Sequence, residues 1–242
     1  MNSVVATKTI PSREKVWQMF DRIAHRYDLL NHLLSLGQDI RWRLKVKEAL
    51  PDKTGLEMLD LATGTGDQIF YLIKDARIKH AVGIDLAAKM LEIGRRKAAQ
   101  RGLSQSVQFK TGDACALEFA QNTFDIVTIS FGIRNVMNLE QVLNQMYRVL
   151  KPGGRAIILE FSLPEPNLFR RLYLFYFRKI LPRLGTLVSG DAYAYRYLNQ
   201  TVETFPFGED FCKLLTRAGF TKVDLRPLTF GIVSIYLADK GE

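Results

Sequence analysis

Cysteine is scarce: Cys115 and Cys212 are the two in 242 residues. Two isolated thiols make neither a disulfide framework nor metal-ligand spacing. The expected state is two reduced thiols in a cytosolic protein, and Cys115, between alanines, reads as a small core residue rather than a nucleophile. Histidine is also scarce, with three residues, and no His/Asp/Glu cluster stands out, so no metal is expected. No stretch approaches the roughly 18 consecutive apolar residues of a transmembrane helix. The segment Met1 to Lys15 lacks the apolar core of a secretory signal. A cytoplasmic location is expected, with peripheral contact at the inner face of a membrane left open. The net charge is +9, yet no run of five basic residues occurs. The doublets Arg95-Arg96 and Arg170-Arg171 are far apart, which argues against nucleic acid as a partner.

What is present is the composition of an ordinary globular chain, 47% hydrophobic and 24% charged. Helical spacing opens it: Val16, Met19, Phe20, Ile23, Tyr27, Leu30 and Leu33 fall on one stripe. Ser12 is a plausible N-cap, and Gly37 can end the region with positive φ. A second helix is expected over Ile40 to Leu50, stopping at Pro51. Then strand and helix alternate. Strands are expected at Leu56–Leu61, Ala81–Asp85, Val107–Phe109, Phe124–Ile129 and Ala156–Phe161. Helices are expected at Gln68–Lys74, Ala87–Arg101 and Leu139–Leu150, with Lys151-Pro152-Gly153-Gly154 as a turn. That alternation argues for a parallel sheet covered on both faces. Val223–Leu225 and Ile232–Leu237 have no helix between them and should pair antiparallel. The expectation is therefore one α/β domain over residues 1–242, Rossmann-like. Its sheet has seven strands, mostly parallel with one antiparallel C-terminal strand. Residues 1–50 form an N-terminal helical cap, and residues 163–207 a helical lid insertion before a last helix, Glu209 to Ala218.

The turn after the first strand, Asp60-Leu61-Ala62-Thr63-Gly64-Thr65-Gly66-Asp67, puts Gly64 and Gly66 where the backbone can approach a ligand closely. Ile69 stands where a dinucleotide fingerprint has its third glycine, which weakens a nicotinamide dehydrogenase reading. Asp85 ends strand two about 20 residues past the loop, placed to accept from ribose hydroxyls. Gly112-Asp113-Ala114 follows strand three, where a carboxylate can accept from an adenine amine. All of these lie at the carboxyl ends of strands, where open α/β sheets bind ligands. A nucleoside cofactor is the reading these features support.

The motif Asp60-x-Ala62-x-Gly64-x-Gly66, with Lys151-Pro152-Gly153-Gly154, resembles class I S-adenosylmethionine-dependent methyltransferases; Ala62 stands in place of the usual first glycine. Further segments narrow the resemblance to the ubiquinone/menaquinone biosynthesis C-methyltransferase family. They are Phe20-Asp21-Arg22-Ile23-Ala24-x-x-Tyr27-Asp28-x-x-Asn31, then Leu36-Gly37 and Trp42-Arg43. Thr128-Ile129-Ser130-Phe131-Gly132-Ile133-Arg134-Asn135-Val136 follows, then Tyr147 to Gly154, Leu159-Glu160-Phe161-Ser162 and Tyr195-x-Tyr197-Leu198. The similarity runs from about Lys15 onward. It implies S-adenosyl-L-methionine as cofactor, with contacts at Thr65, Asp85, Asp113, Ala114 and Ser130. It also implies C-methylation of a prenylated quinol, demethylmenaquinol to menaquinol, or a methoxy-polyprenyl-benzoquinol in ubiquinone synthesis, or both.

A quinol carbon becomes nucleophilic when its hydroxyl ionises. Arg134, too basic to accept a proton, is expected to stabilise that oxygen and Asn135 to orient the ring. The competing role for Arg134 is an ion pair that stabilises its loop. Tyr27 and Asp28 match the family motif and are candidate active-site residues. His25 is a possible base, though a lone helical histidine is more often a surface residue. Leu168 to Leu181 is rich in aromatics, with Arg170, Arg171 and Arg178 on one arc of about 100°. It suits an anionic membrane surface or a cover for an isoprenoid tail, or equally packing on the sheet or at a homodimer interface.

Overall fold

The structure, a computed structural model, describes residues 16–165, 168–183 and 192–242, without the side chains of 192–196. Ser12 and the rest of the first 15 residues lie outside it. Helix α1 spans Val16–Leu34 and α2 spans Gln38–Lys47. Between them Gly37 has φ +73, and its N–H donates to the His32 carbonyl (2.7 Å). That is the left-handed stop that glycine supplies without steric cost, and it turns the chain so that α2 doubles back on α1.

The sheet follows: β1 Leu56–Leu61, β2 Ile78–Asp85, β3 Val107–Thr111, β4 Phe124–Ser130, β5 Leu150–Phe161, β6 Lys222–Leu228 and β7 Val233–Asp239. Spatial order is β3-β2-β1-β4-β5-β7-β6. Strands β1 to β5 pair in parallel, and β7 runs antiparallel between β5 and β6. The C-terminal hairpin is thus an edge, but its second strand is the inner one, because β7 is the more apolar and is buried on both faces. Helices α3 (Asp67–Leu72), α4 (Ala88–Gln100), α5 (Leu139–Val149) and α8 (Glu209–Arg217) cover the sheet. Two cores result, one around Trp42, Ile69 and Ile157, the other around Leu143, Phe211 and Tyr236.

Several elements differ in extent from the sequence expectation. Helix α2 starts and ends earlier than Ile40 to Leu50, and β2 begins at Ile78. Lys151-Pro152-Gly153-Gly154 does not separate a helix from a strand. It lies inside β5 as a bulge, where pairing with β4 jumps from Phe124↔Leu150 to Ile126↔Arg155. Gly153 takes φ +71, and a Cβ on Gly154 would lie 2.8 Å from the Lys151 carbonyl oxygen. The turn chemistry was legible, but pairing on both sides absorbs it into the strand. Within the insertion, α6 (Leu168–Phe175) runs on through a π turn at Tyr176–Ile180, and α7 spans Ala192–Thr204.

Candidate active site

Two cavities meet above the carboxyl ends of β1, β2 and β4. The first, about 290 Å³, is walled by Asp85, Gly112, Asp113, Ala114, Ser130 and Asn135, with α1 across it through Val16, Trp17 and Phe20. The second, about 280 Å³, is almost wholly apolar and lies under α1, α2 and α6; Tyr173, Phe177, Leu181 and Ile232 contribute. Phe20, Tyr27 and Phe131 line both.

The first cavity brings together Asp85, Asp113, Ala114 and Ser130, four of the residues expected to contact a nucleoside, while Gly64 and Gly66 do not line it. Asp85 accepts from the Gly64 and Ala87 backbone N–H groups, each at 2.8 Å. Burial nonetheless pushes its carboxyl above the usual range, with those donors opposing. Asp113 accepts from Cys115 N–H (2.8 Å). Ser130 Oγ donates to Gln68 Oε1 (3.0 Å), and Gln68 Nε2 to the Arg43 carbonyl (3.3 Å), so a fully buried amide ties this cavity to α2. Among the described residues Asn135 Oδ1 is enclosed without a hydrogen-bond partner. A buried orphan acceptor costs about 1–3 kcal/mol unless a ligand satisfies it. The backbone makes room for one: Ala62 takes φ +46, and a Cβ on Gly132 would lie 2.6 Å from that of Ala62. Gly66, at φ +84, is needed for the turn and for space, since a Cβ there would meet Phe109 at 2.5 Å.

Thr65 and Asp28 are elsewhere. Thr65 Oγ1 donates to Asp28 (2.6 Å), and Lys97 Nζ reaches Asp28 (2.6 Å), Asp67 (2.8 Å) and Thr65 (3.1 Å). This knot pins α1 to α3 and α4 beside the glycine turn, and neither Thr65 nor Asp28 lines either of these two cavities. His25 is exposed on α1, also away from both cavities. Tyr27 sits at the junction, edge-on to Phe20 (5.8 Å between centroids). Burial raises its phenol above the ordinary range, against the pull of an Asn31 hydrogen bond and the Arg43 charge.

Arg134 lines the apolar cavity but is committed: Nη1 donates to Glu160 Oε1 (2.7 Å) and to the Phe131 carbonyl. Its expected ion-pair alternative is therefore present, with Glu160 fully buried on β5. Phe131 takes φ +59, a strained choice for a bulky residue. The Arg134 contact holds that turn, so the ring stands between the two cavities, 4.8 Å from Phe161 and 6.0 Å from Trp42.

These surroundings agree with comparison to known proteins. The profile of the ubiE/COQ5 methyltransferase family matches residues 8–240. The chain belongs to this family. The methyltransferase is 47% identical to the demethylmenaquinone methyltransferase of Thermus thermophilus, over 92% of this chain and 100% of that one. It is 44% identical to the ubiquinone/menaquinone biosynthesis C-methyltransferase UbiE of Geobacter sulfurreducens, over 94% and 89%. Among solved structures it resembles Haemonchus contortus phosphoethanolamine N-methyltransferase 2 in complex with S-adenosyl-L-methionine. There the TM-score is 0.70 at 18% identity, over 97% of this chain and 61% of that one. It also resembles a possible histamine N-methyltransferase of Thermotoga maritima, with TM-score 0.64 at 20% identity over 93% and 99%. The methyltransferase thus has the mostly parallel sheet, reversed C-terminal strand and helical additions expected from its sequence. Sequence reasoning missed Gln68 and Glu160 as parts of the site. Glu160 lay inside the Leu159–Ser162 motif, and a carboxylate in a strand buried on both faces was the signal.

Proposed function

We propose that this methyltransferase moves the methyl group of S-adenosylmethionine to a ring carbon of a prenylated quinol, converting demethylmenaquinol to menaquinol. The observation that carries this reading is the junction: a polar cavity suited to a nucleoside and an apolar one suited to a ring and isoprenoid tail share one wall. In the polar cavity Asp85 holds the ribose hydroxyls, Asp113 and Ala114 the adenine, and Ser130 and Asn135 the side nearest the junction. Gly64 and Gly66 let the backbone come close. When bound, this donor supplies an electrophilic sulfonium methyl. The enzyme's part is to align the acceptor carbon with it, and proximity accounts for much of the rate. Tyr27 and Phe131 set the ring's position. Arg134 contributes mainly by fixing the Phe131 turn, its charge being shared with Glu160.

The tail leaves under α6. That helix lines the acceptor cavity through Tyr173 and turns Leu168 and Leu172 outward, 71% and 61% exposed, near Phe230 at 82%. This apolar face, beside Arg170 and Arg171, rests on an anionic membrane that delivers the substrate. No helix among the described residues is long and apolar enough to cross a membrane.

The deciding experiment is methyl transfer from labelled S-adenosylmethionine to reduced demethylmenaquinone in anionic vesicles, with 2-methoxy-6-polyprenyl-1,4-benzoquinol in parallel. Label in the first product supports the reading, and label in the second alone moves it to ubiquinone synthesis. No transfer to either, with cofactor binding intact, sinks the quinol assignment; failure to co-float with vesicles sinks the membrane contact. Asp85→Ala is expected to weaken S-adenosylmethionine binding roughly 10- to 100-fold, the worth of hydrogen bonds to a charged group. An unchanged Kd in calorimetry would remove the ribose assignment.

A further inference from the structure

A buried guanidinium is ordinarily matched by a carboxylate, because an unpaired charge away from water is costly. Arg134 obeys that rule. Arg43 does not. It is 6% exposed on the inner face of α2 and lines the acceptor cavity. Among the described residues its guanidinium has no ion pair and no hydrogen bond, and its Nε is wholly enclosed without a partner. Its neighbour is the Phe131 ring, 5.2 Å from the guanidinium carbon to the centroid. The other cavity does not include it. A cation kept in an apolar chamber with its donors unused is built for an anion that arrives later.

One turn earlier on the same face is Asp39, 4% exposed and the sole carboxylate among the residues lining that cavity. It does not pair with Arg43. Its Oδ2 meets His32 Nδ1 at 2.7 Å and its Oδ1 accepts from Ser35 Oγ at 2.7 Å. The His32 side chain is 35% exposed, so the pair runs from the chamber to solvent. The other titratable groups that feel this corner are Tyr27 on α1, Asp60 near the end of β1, Tyr71 on α3 and Asp67, which Lys97 holds.

We infer that the inner face of α2 ionises the acceptor: Arg43 binds the oxyanion of the quinol, and Asp39 takes the hydroxyl proton and passes it through His32 to water. This rests on the quinol reading above. The O–H bond breaks, its electron pair stays on oxygen, and the proton goes to Asp39. The ring carbon ortho to that oxygen then forms a bond to the methyl as the C–S pair returns to sulfur. Loss of the ring C–H proton restores aromaticity, its electron pair returning to the ring as the oxygen regains a proton, so one proton in all leaves the site. The Tyr27 phenol, at the same junction, reports the field there: of the two arginines that favour its ionised form, Arg43 acts more strongly than Arg134.

The test uses the full chain, Arg43→Gln and Asp39→Asn, and a series of quinols made more acidic by ring halogens. With the parent quinol, Arg43→Gln is expected to lower kcat about 100-fold, the usual effect of removing one oxyanion donor, while the Kd for S-adenosylmethionine is unchanged. Asp39→Asn is expected to lower kcat as well, and both deficits shrink as the quinol becomes more acidic, because a substrate already ionised needs neither base nor cation. A nitronaphthol bound in the chamber, followed by its absorbance without any donor, should ionise at lower pH on the wild type than on Arg43→Gln. A deficit that stays flat across the series, a dye that titrates alike on both proteins, or a matching loss of cofactor affinity overturns the assignment. If the wild type methylates no quinol at all, the functional reading fails first and the flat-deficit result cannot be mistaken for it.

Discussion

Glu160→Ala is expected to destabilise the protein by about 3–5 kcal/mol, the cost of leaving one member of a buried ion pair without its partner. Glu160 is fully buried and meets Arg134 at 2.7 Å, with the Phe161 N–H at 2.8 Å on the same carboxylate. Burial pushes its carboxyl upward, and Arg134 opposes that. Without Glu160 the guanidinium is stranded between β4 and β5, and it is the group that holds the Phe131 carbonyl. Urea unfolding of the variant measures the loss; a change below about 1 kcal/mol would show the pair to be solvated in practice. The double variant Arg134→Met/Glu160→Leu should recover most of the stability, since a well-packed apolar pair often replaces a buried ionic one without loss. It should not recover turnover, because the Phe131 turn loses its restraint.

The second large effect is a pH dependence written into the glycine-turn motif. Asp60 is buried at the end of β1, and burial raises its pKa to about 6 despite the hydrogen bond from Thr128. The native state therefore binds a proton that the unfolded chain releases near pH 4. Where the folded form holds more protons, stability falls as pH rises. The contribution is fully present below about pH 4 and is lost as pH passes about 6, a swing of roughly 3 kcal/mol. Asp60→Asn cannot titrate and still offers Thr128 an acceptor. Its stability relative to the wild type should therefore rise between pH 4 and 7 by that amount. A difference independent of pH would refute the shift. Other carboxylates act the opposite way, Asp75 and Asp125 being held low by Arg77 and Lys151, so the paired comparison isolates Asp60.

Much of this was legible in the chain because the signals are local. Short apolar runs and the helices between them dictate a parallel sheet. Gly64 and Gly66 mark a turn that no side chain tolerates well, and Asp85, Asp113 and Ser130 must share an edge once their strands are parallel neighbours. The same logic misread Lys151–Gly154 as a break, because strand pairing on either side outweighs local turn chemistry. The family resemblance implied Thr65 as a cofactor contact and Asp28 as a candidate active-site residue; Lys97, distant in sequence, joins both in a charged knot outside the two cavities.

The roles of the two arginines show where sequence reasoning ends. Arg43 and Arg134 both lie in recognisable motifs, and nothing local distinguishes them. Arg134 is neutralised because β5 lies next to β4 and carries Glu160 into its reach; among the described residues Arg43 has no ion pair, because α2 packs its inner face on an apolar chamber. By itself the sequence determined the fold, the family and the edge of the sheet where the candidate site lies, since these depend on periodicity and on short motifs. Only the tertiary structure decided which charged groups are matched and which are left for a ligand, because pairing and burial depend on contacts between segments far apart in the chain, and the free energy of a charge depends on both.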